Sequence, residues 1–226
     1  LTASLARPFW IDEQAVQINV TAGLAHAPLH AASRDDLARC ADLALRAAKN
    51  TRRGGIEVFS PAMDAEFKER RFIERELTRA LADSTIDVHY QPIVSADGNR
   101  IVGAEALARW KHPVRGEIPP ALFVPVAEHC GLMSRLGEIV LRRALSDARR
   151  WPDISIAVNL SPVQVPDAAL VGLVERVLRE TGVPPSRVVL EVTEGVLMGD
   201  PDEAKVRLDA LRALGVRLAL DDFGTG

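Results

Sequence analysis

The stretch Glu105-Ala106-Leu107-Ala108-Arg109-Trp110 follows a short apolar run, residues 101–104, and gives the first indication of the fold. An apolar run that leads into a carboxylate predicts a β-strand with an acidic residue at its carboxyl end. Taken alone the pattern is weak, because a carboxylate at a strand end is commonly solvated or paired with a cation. The pattern gains weight because it recurs further along the chain.

Three further apolar runs, which are rich in Val and Ile, end in the oxygen-bearing side chains Asn159, Glu191 and the pair Asp221-Asp222. Helical patterns separate these runs, and strands that alternate with helices predict parallel β/α units. In a β/α barrel the carboxyl ends of the strands meet on one face, where the active site lies. The sequence therefore predicts an α/β barrel with these side chains in one mouth.

Composition limits the function classes. Net charge −3 gives no general attraction to nucleic acid, and an aromatic content of 4% argues against a platform for base stacking. No apolar run approaches the roughly 20 residues of a membrane span. Because Cys40 and Cys130 lack metal-type spacing, we expect reduced thiols in a cytoplasmic protein. The sequence starts at Leu1 and not at Met, which suggests that it is part of a longer protein. Whether that longer protein has a membrane anchor upstream is left open.

Residues 1–59 are predicted to form a first domain of α+β type. Residues 17–21 alternate apolar and polar side chains like a half-buried strand, and Ser33 opens a helix through a capping box. A second strand is expected at residues 56–59. The pair Ser60-Pro61 then starts a long helix, so residues 60–84 are assigned to a linker helix.

Residues 85–226 are predicted to form the second domain, which carries every candidate site residue. Its first strand, residues 88–93, is followed by a turn signal and by the strand that leads to Glu105, so we expect an antiparallel hairpin. Helices should follow, and Asp200-Pro201-Asp202-Glu203 is a strong helix start. Gly215 is predicted to end that helix.

The candidate ligands indicate the kind of metal. Glu105, Asn159, Glu191 and Asp221 offer only hard oxygen atoms, which suit Mg²⁺ or Mn²⁺ and disfavour zinc or copper. Asp222 would point to the other face of a regular strand, but at a strand end it can turn into the mouth. Two ions about 3.5–4 Å apart could then clamp the attacking and leaving oxygens of phosphodiester hydrolysis. The alternative for Asp222 is a cap of the following turn.

Residues 85–226 resemble the EAL family of cyclic di-GMP phosphodiesterases. The resemblance rests on six motifs in the family's order: Tyr90-Gln91-Pro92-Ile93, Glu105-Ala106-Leu107-Ala108-Arg109-Trp110, Phe123-Val124-Pro125-Val126-Ala127-Glu128, Asn159-Leu160-Ser161-Pro162, Glu191-Val192-Thr193-Glu194 and Asp221-Asp222-Phe223-Gly224-Thr225-Gly226. It implies a (β/α)8 TIM-like barrel and the metal-dependent hydrolysis of cyclic di-GMP to 5′-pGpG. The alternatives are a receptor that binds cyclic di-GMP without cleaving it and a purely structural or dimerising domain.

The same resemblance implies roles for the polar residues. Glu105, Asn159, Glu191 and Asp221 would hold a first Mg²⁺ or Mn²⁺, and Asp221 and Asp222 would serve a second. The catalytic set would be Glu105, Asp221 and Asp222. Cyclic di-GMP is the expected partner, nucleic acid is not, and a homodimer through this domain is left open.

The remaining implied roles concern the nucleotide and a loop. Gln91, Leu107 and Arg109 would contact the dinucleotide, with the planar fork of Arg109 matched to a phosphate. The alternative for Arg109 is an ion pair at the domain surface. Glu194 would brace the mobile loop that starts at Asp221.

Residues 1–59 resemble the closing third of a GGDEF (diguanylate cyclase-like) domain, on the stretches Val20-Thr21-Ala22-Gly23-Leu24-Ala25 and Ala41-Asp42-Leu43-Ala44-Leu45-Arg46-Ala47-Ala48-Lys49-Asn50. The namesake loop of that family is not in the sequence, and an unrelated α+β segment is the alternative. The EAL family's barrel continues for three strands beyond the motif that ends at Gly226, and those strands supply further catalytic residues. We therefore expect an incomplete barrel here, and no hydrolysis by residues 1–226 alone.

Overall fold

The computed structural model describes residues 8–51, 54–198 and 200–221. The chain divides into two compact units, Leu1–Phe72 and Ile73–Gly226, called here the first and the second unit. The division lies inside a long helix, and the predicted domain ranges 1–59, 60–84 and 85–226 stay a prediction.

The first unit contains two small sheets. Strands β1 (Phe9–Ile11) and β2 (Gln14–Val16) pair as an antiparallel hairpin. Strands β3 (Ala22–Leu24) and β4 (Ile56–Val58) pair in parallel, and helix α1 (Arg34–Thr51) lies between them in the chain. This β-α-β unit agrees with the predicted α+β character of the segment.

The strand predicted at residues 17–21 is wrong, since pairing begins only at Ala22 and the side chain of Ile18 is 41% exposed. Close packing of β3 against α1 explains why the strand lies at Ala22–Leu24. A Cβ atom added to Gly23 would stand 2.3 Å from the carbonyl oxygen of Ala41 in α1. Only glycine lets the backbone of β3 approach the helix this closely.

Helix α1 begins as predicted at a capping serine. The hydroxyl oxygen of Ser33 accepts the N–H of Asp36 at 3.1 Å, which satisfies a donor that has no partner inside the helix. The buried face of the helix and the residue after β4 form a small core of Cys40, Leu43, Ala44 and Phe59.

The second unit takes in the carboxyl-terminal part of helix α2 (Pro61–Ala82) and a larger sheet. Strands β5 (Ile86–Val94) and β6 (Ile101–His112) pair antiparallel, which confirms the predicted hairpin, and β7 (Gly116–Ile118) pairs with the end of β6. Strand β6 is longer than predicted. It continues to His112, so Glu105 lies inside the strand and not at its end.

Three parallel strands complete the described sheet, β8 (Ser155–Leu160), β9 (Val188–Thr193) and β10 (Arg217–Asp221). The strand order is β10-β9-β8-β6-β5, with β6, β8, β9 and β10 all parallel. Within the described residues β5 and β10 form the two edges of an open sheet. Parallel strands joined by helices are the predicted β/α arrangement.

Four helices connect these strands, namely α3 (Pro120–His129), α4 (Met133–Ala148), α5 (Leu170–Thr181) and α6 (Pro201–Ala213). Pro125 lies within α3 without ending it. Helices α5 and α6 are followed by Gly182 and Gly215, whose φ angles of 68° and 92° suit glycine. None of the helices in the described ranges is long and apolar enough for a membrane crossing.

One face of the sheet is apolar. Its side chains alternate with those of the other face along each strand, and they meet the buried side of α4. On the strands the fully or nearly buried side chains are Ala104, Ala106, Ile156, Val158, Val188 and Leu190. The helices α4 and α5 add the buried side chains Leu141, Leu145, Val174 and Val177 to the core. This core leaves the opposite face for polar side chains.

Candidate functional site

The register of the sheet puts the predicted site residues on one face. Gln91 pairs with Glu105 across β5 and β6, and Asn159 pairs with Glu191 across β8 and β9. Asp221 pairs with Thr193 two residues beyond Glu191. Because residues directly opposite each other, and residues two apart on one strand, share a face, these side chains all project from the same side.

Glu105 and Asn159 are in direct contact. The side-chain amide of Asn159 donates a hydrogen bond of 2.6 Å to Oε1 of Glu105. Glu105 is half-buried within β6, whereas Asn159 is exposed next to the last residue of β8. These two side chains are therefore close together as predicted, although only Asn159 lies near the end of its strand.

Glu191 has unusual electrostatics. Burial raises the pKa of its carboxyl group, and the negative charges of Glu105 and Asp221 raise that pKa further. Among the described residues, no lysine, arginine or histidine contributes to this shift in the pKa of Glu191. The charges of Glu105 and Asp221 thus disfavour the ionisation of Glu191, and a bound cation would relieve that repulsion.

Asp221 is the last residue of β10 and is exposed. Asp222, which was predicted to serve a second ion, lies outside the described residues. Glu194 follows Thr193, the pairing partner of Asp221, and begins a short 3₁₀ turn, Glu194–Met198. Glu194 is therefore next to the strand end from which the predicted loop departs, and its bracing role stays a prediction.

The three predicted nucleotide contacts lie on β5 and β6. Gln91 is exposed opposite Glu105, while Leu107 and Arg109 are half-buried. The guanidinium of Arg109 donates to the carbonyl oxygen of Ala108 at 2.9 Å, and its Nε lies 3.9 Å from a carboxylate oxygen of Glu117. The distance in this ion pair is long, and the side chain of Glu117 is 68% exposed. Glu117 therefore competes only weakly with an anionic ligand for the guanidinium of Arg109.

A cavity of about 420 Å³ adjoins these residues. Leu107, Arg109 and Asn159 contribute to its wall together with apolar side chains of α3 and α4. The remaining polar wall comes from Glu128, Ser161, Gln164 and Thr193. An apolar pocket with a few converging polar groups is the usual form of a small-molecule site.

The donor set fits a hard divalent cation. Carboxylates and an amide oxygen are ligands that Mg²⁺ and Mn²⁺ accept. Burial and then the negative charges of Glu105 and Asp221 raise the pKa of Glu191. Across the described ranges, however, no three His, Cys, Asp or Glu side chains converge closely enough to hold a metal unaided. The chemistry of these donors supports a metal, and the ligand assignment stays a prediction.

Sequence reasoning missed three polar residues beside the site. Glu128 and Ser161 lie in the quoted motifs, but the resemblance implied no role for either of them. No sequence pattern marked Gln164. The hydroxyl of Ser161 donates to Glu128 at 2.6 Å, and the N–H of Ser161 donates to Gln164 at 3.1 Å. The sequence offered one signal of a supporting role for Ser161, namely its position two residues after Asn159.

Comparison with known proteins gives consistent results. Over its whole length the chain is 46% identical to an uncharacterized signalling protein of Caulobacter vibrioides. It is similarly 38% identical to MucR, a bifunctional diguanylate cyclase/cyclic di-GMP phosphodiesterase of Pseudomonas aeruginosa, and 33% identical to NbdA, a cyclic di-GMP phosphodiesterase of the same species. The chain spans only 28%, 34% and 30% of the lengths of these three curated relatives.

Solved structures show the same relationship. The MucR phosphodiesterase in complex with cyclic di-GMP matches with a TM-score of 0.65 and 43% identity, covering 68% of this chain and 64% of that one. The EAL enzyme Bd1971 with cAMP and cyclic di-GMP matches with a TM-score of 0.67 and 26% identity, covering 85% and 50%. These neighbours identify the second unit's fold as a TIM-like α/β fold.

A family model agrees with both sets of relatives. The model of the EAL domain matches residues 74–226, which is more than half of the chain. The match begins within α2 and continues to the last residue. It includes the polar face of the sheet and the cavity beside it. The chain belongs to the EAL-domain family.

Proposed function

We propose that the protein hydrolyses cyclic di-GMP to 5′-pGpG with Mg²⁺ or Mn²⁺. The main support for this proposal is that Glu105, Asn159, Glu191 and Asp221 share the polar face of the sheet. It is supported by the phosphodiesterase names of MucR and NbdA and by the MucR complex with cyclic di-GMP. The four residues would hold one ion, and Asp221 with Asp222 would serve a second.

The metal would supply positive charge to the phosphate oxygens and lower the pKa of a water molecule. The protein's own residues orient the substrate. Arg109 has a planar set of N–H donors that matches two phosphate oxygens, and the neighbouring cavity can take apolar parts of the nucleotide. Leu107 offers a nonpolar contact, and Gln91 offers an amide beside Glu105.

Two further parts of the proposal lie outside this face. Glu194 would brace the loop that begins at Asp221, since it follows the residue that pairs with Asp221. Residues 1–59 would be the closing part of a GGDEF domain. The whole-chain match to MucR, whose name includes diguanylate cyclase, supports this origin.

The experiment uses the full-length protein with cyclic di-GMP and Mg²⁺ or Mn²⁺, and the products are separated by chromatography. We expect 5′-pGpG from the wild type and none above background from Glu105→Gln. Glu175→Gln, an exposed change on α5, should keep full activity. Tight binding of fluorescent cyclic di-GMP without any product would instead identify a receptor, and the absence of both would reject the proposal.

A further inference from the structure

The segment that follows Asn159 is held by side chains from outside its own strand. The hydroxyl of Ser161 donates a hydrogen bond of 2.6 Å to Oε1 of Glu128, which lies in the last turn of α3. The backbone N–H of Ser161 donates to Oε1 of Gln164 at 3.1 Å. Ser161 is therefore restrained through both its side chain and its backbone.

Gln164 is in turn anchored against α4. Its side chain is only 4% exposed, and a Cβ atom added to Gly137 would lie 2.2 Å from its Nε2 atom. The N–H of Gln164 also donates to the carbonyl oxygen of Ser161 at 2.9 Å. Gly137 is thus the point at which α4 makes room for the amide of Gln164.

These contacts end two residues from Asn159, whose amide donates to Glu105 at 2.6 Å. The intervening residue, Leu160, is the last residue of β8 and is 7% exposed. A functional side chain must be held within about 0.5 Å of its productive position by the groups around it. The bonds to Ser161 supply that restraint where the strand itself ends.

We propose that Glu128 and Gln164 are positioning residues that act through Ser161 on Asn159. The proposal rests on the proposed function, in which Asn159 helps to hold a divalent ion. Glu128 fixes the side chain of Ser161 through their hydrogen bond of 2.6 Å. Gln164 fixes the backbone of the same residue.

Binding of Mn²⁺ to the full-length protein, measured by calorimetry, tests the proposal without any need for turnover. Glu128→Ala and Ser161→Ala should each weaken Mn²⁺ binding by about tenfold, the usual lower range for groups that orient a ligand. Glu128→Gln keeps an oxygen acceptor and should restore most of the affinity. Glu175→Ala, on the exposed side of α5, serves as the matched control and should change nothing.

A second set of variants separates positioning from general stability. In an Asn159→Ala background, Glu128→Ala should cause no further loss of Mn²⁺ affinity, because its effect passes through Asn159. An equal loss in both backgrounds would overturn the proposal, as would wild-type affinity in Glu128→Ala. If Asn159→Ala alone left Mn²⁺ binding unchanged, the proposed function would fail at this ligand and the positioning proposal with it.

Gly137→Ala tests the other half of the arrangement. Alanine favours a helix more than glycine does, so α4 itself should not be weakened. The new methyl group would nevertheless displace the amide of Gln164. We expect weaker Mn²⁺ binding in the wild-type background and no added loss in Asn159→Ala. Unchanged binding in Gly137→Ala would remove Gln164 from the proposal.

Discussion

Among single residues, Glu191 in β9 is a site residue whose pKa is clearly shifted. Burial and then the charges of Glu105 and Asp221 raise the pKa of its carboxyl group above the ordinary value. In the metal-free protein, ionisation of Glu191 therefore costs stability as the pH rises through this raised pKa. A cation needs the ionised carboxylate, so its affinity should fall as the pH falls through the same value.

Calorimetric Mn²⁺ titrations between about pH 5 and pH 7 should show this dependence, with the loss of affinity beginning above the ordinary glutamate range. Glu191→Gln should bind Mn²⁺ more weakly at neutral pH and show a flatter pH profile. Glu175→Gln removes an exposed carboxylate from α5 and should retain the wild-type profile. A Glu191→Gln variant with an unchanged slope would show that another group titrates.

Arg109 gives a second test on one residue. If its guanidinium holds a phosphate, Arg109→Ala should weaken cyclic di-GMP binding by about 1.5–3 kcal/mol, the range for a hydrogen bond to a charged group. Mn²⁺ binding should change little. Arg150→Ala, an exposed arginine just beyond α4, should leave nucleotide affinity intact. Wild-type affinity in Arg109→Ala would return this residue to the role of a surface ion pair with Glu117.

The sequence indicated the candidate ligands more readily than the polar groups that pack beside them. Glu105, Asn159, Glu191 and Asp221 could be found because each follows an apolar run, a pattern that is local in the chain. The contact of Glu128 with Ser161 joins residues 33 positions apart. It depends on where α3 packs, and no local pattern in the sequence reports that.

At the scale of elements, the start of α6 shows how local chemistry fixes a boundary. Oδ1 of Asp200 accepts the N–H groups of Asp202 and Glu203 at 3.0 and 3.2 Å, as the predicted capping pattern requires. Asp200→Ala should destabilise the helix by about 0.5–2 kcal/mol. Amide hydrogen exchange in the first turns of α6 should accelerate accordingly.

Two comparisons control the helix prediction. Asp200→Asn keeps an oxygen acceptor and should retain most of the protection, while Asp153→Ala, at an exposed position before β8, should have no effect on α6. Unchanged exchange in Asp200→Ala would mean that packing, and not the cap, sets the stability of this helix end.

Strands were less predictable than helices for a physical reason. The starts of α1 and α6 depend on capping residues a few positions away, whereas a strand ends where its partner ends. Strand β6 continues to His112 because β5 and β7 both pair with it, and the apolar run before Glu105 carries no information on those partners. The same reasoning explains why β3 forms at Ala22, opposite β4.

At the scale of the whole molecule, the register of the parallel strands determines which residues share the polar face. A shift of one residue in any pairing would move a candidate ligand to the apolar face, which is packed against α4. The buried core of Ala106, Val158 and Leu190 fixes this register and so fixes the opposite, polar face. The sequence could predict the alternation, but only the paired sheet brings Asn159 beside Glu105 and Glu191.

A crystal of the full-length protein with Mn²⁺ and cyclic di-GMP, measured at a wavelength where manganese scatters anomalously, tests the central claim most directly. The account predicts an anomalous peak among Glu105, Asn159, Glu191 and Asp221, with a phosphate of the nucleotide beside Arg109. Nucleotide bound away from this face, or manganese bound only by other residues, would contradict it.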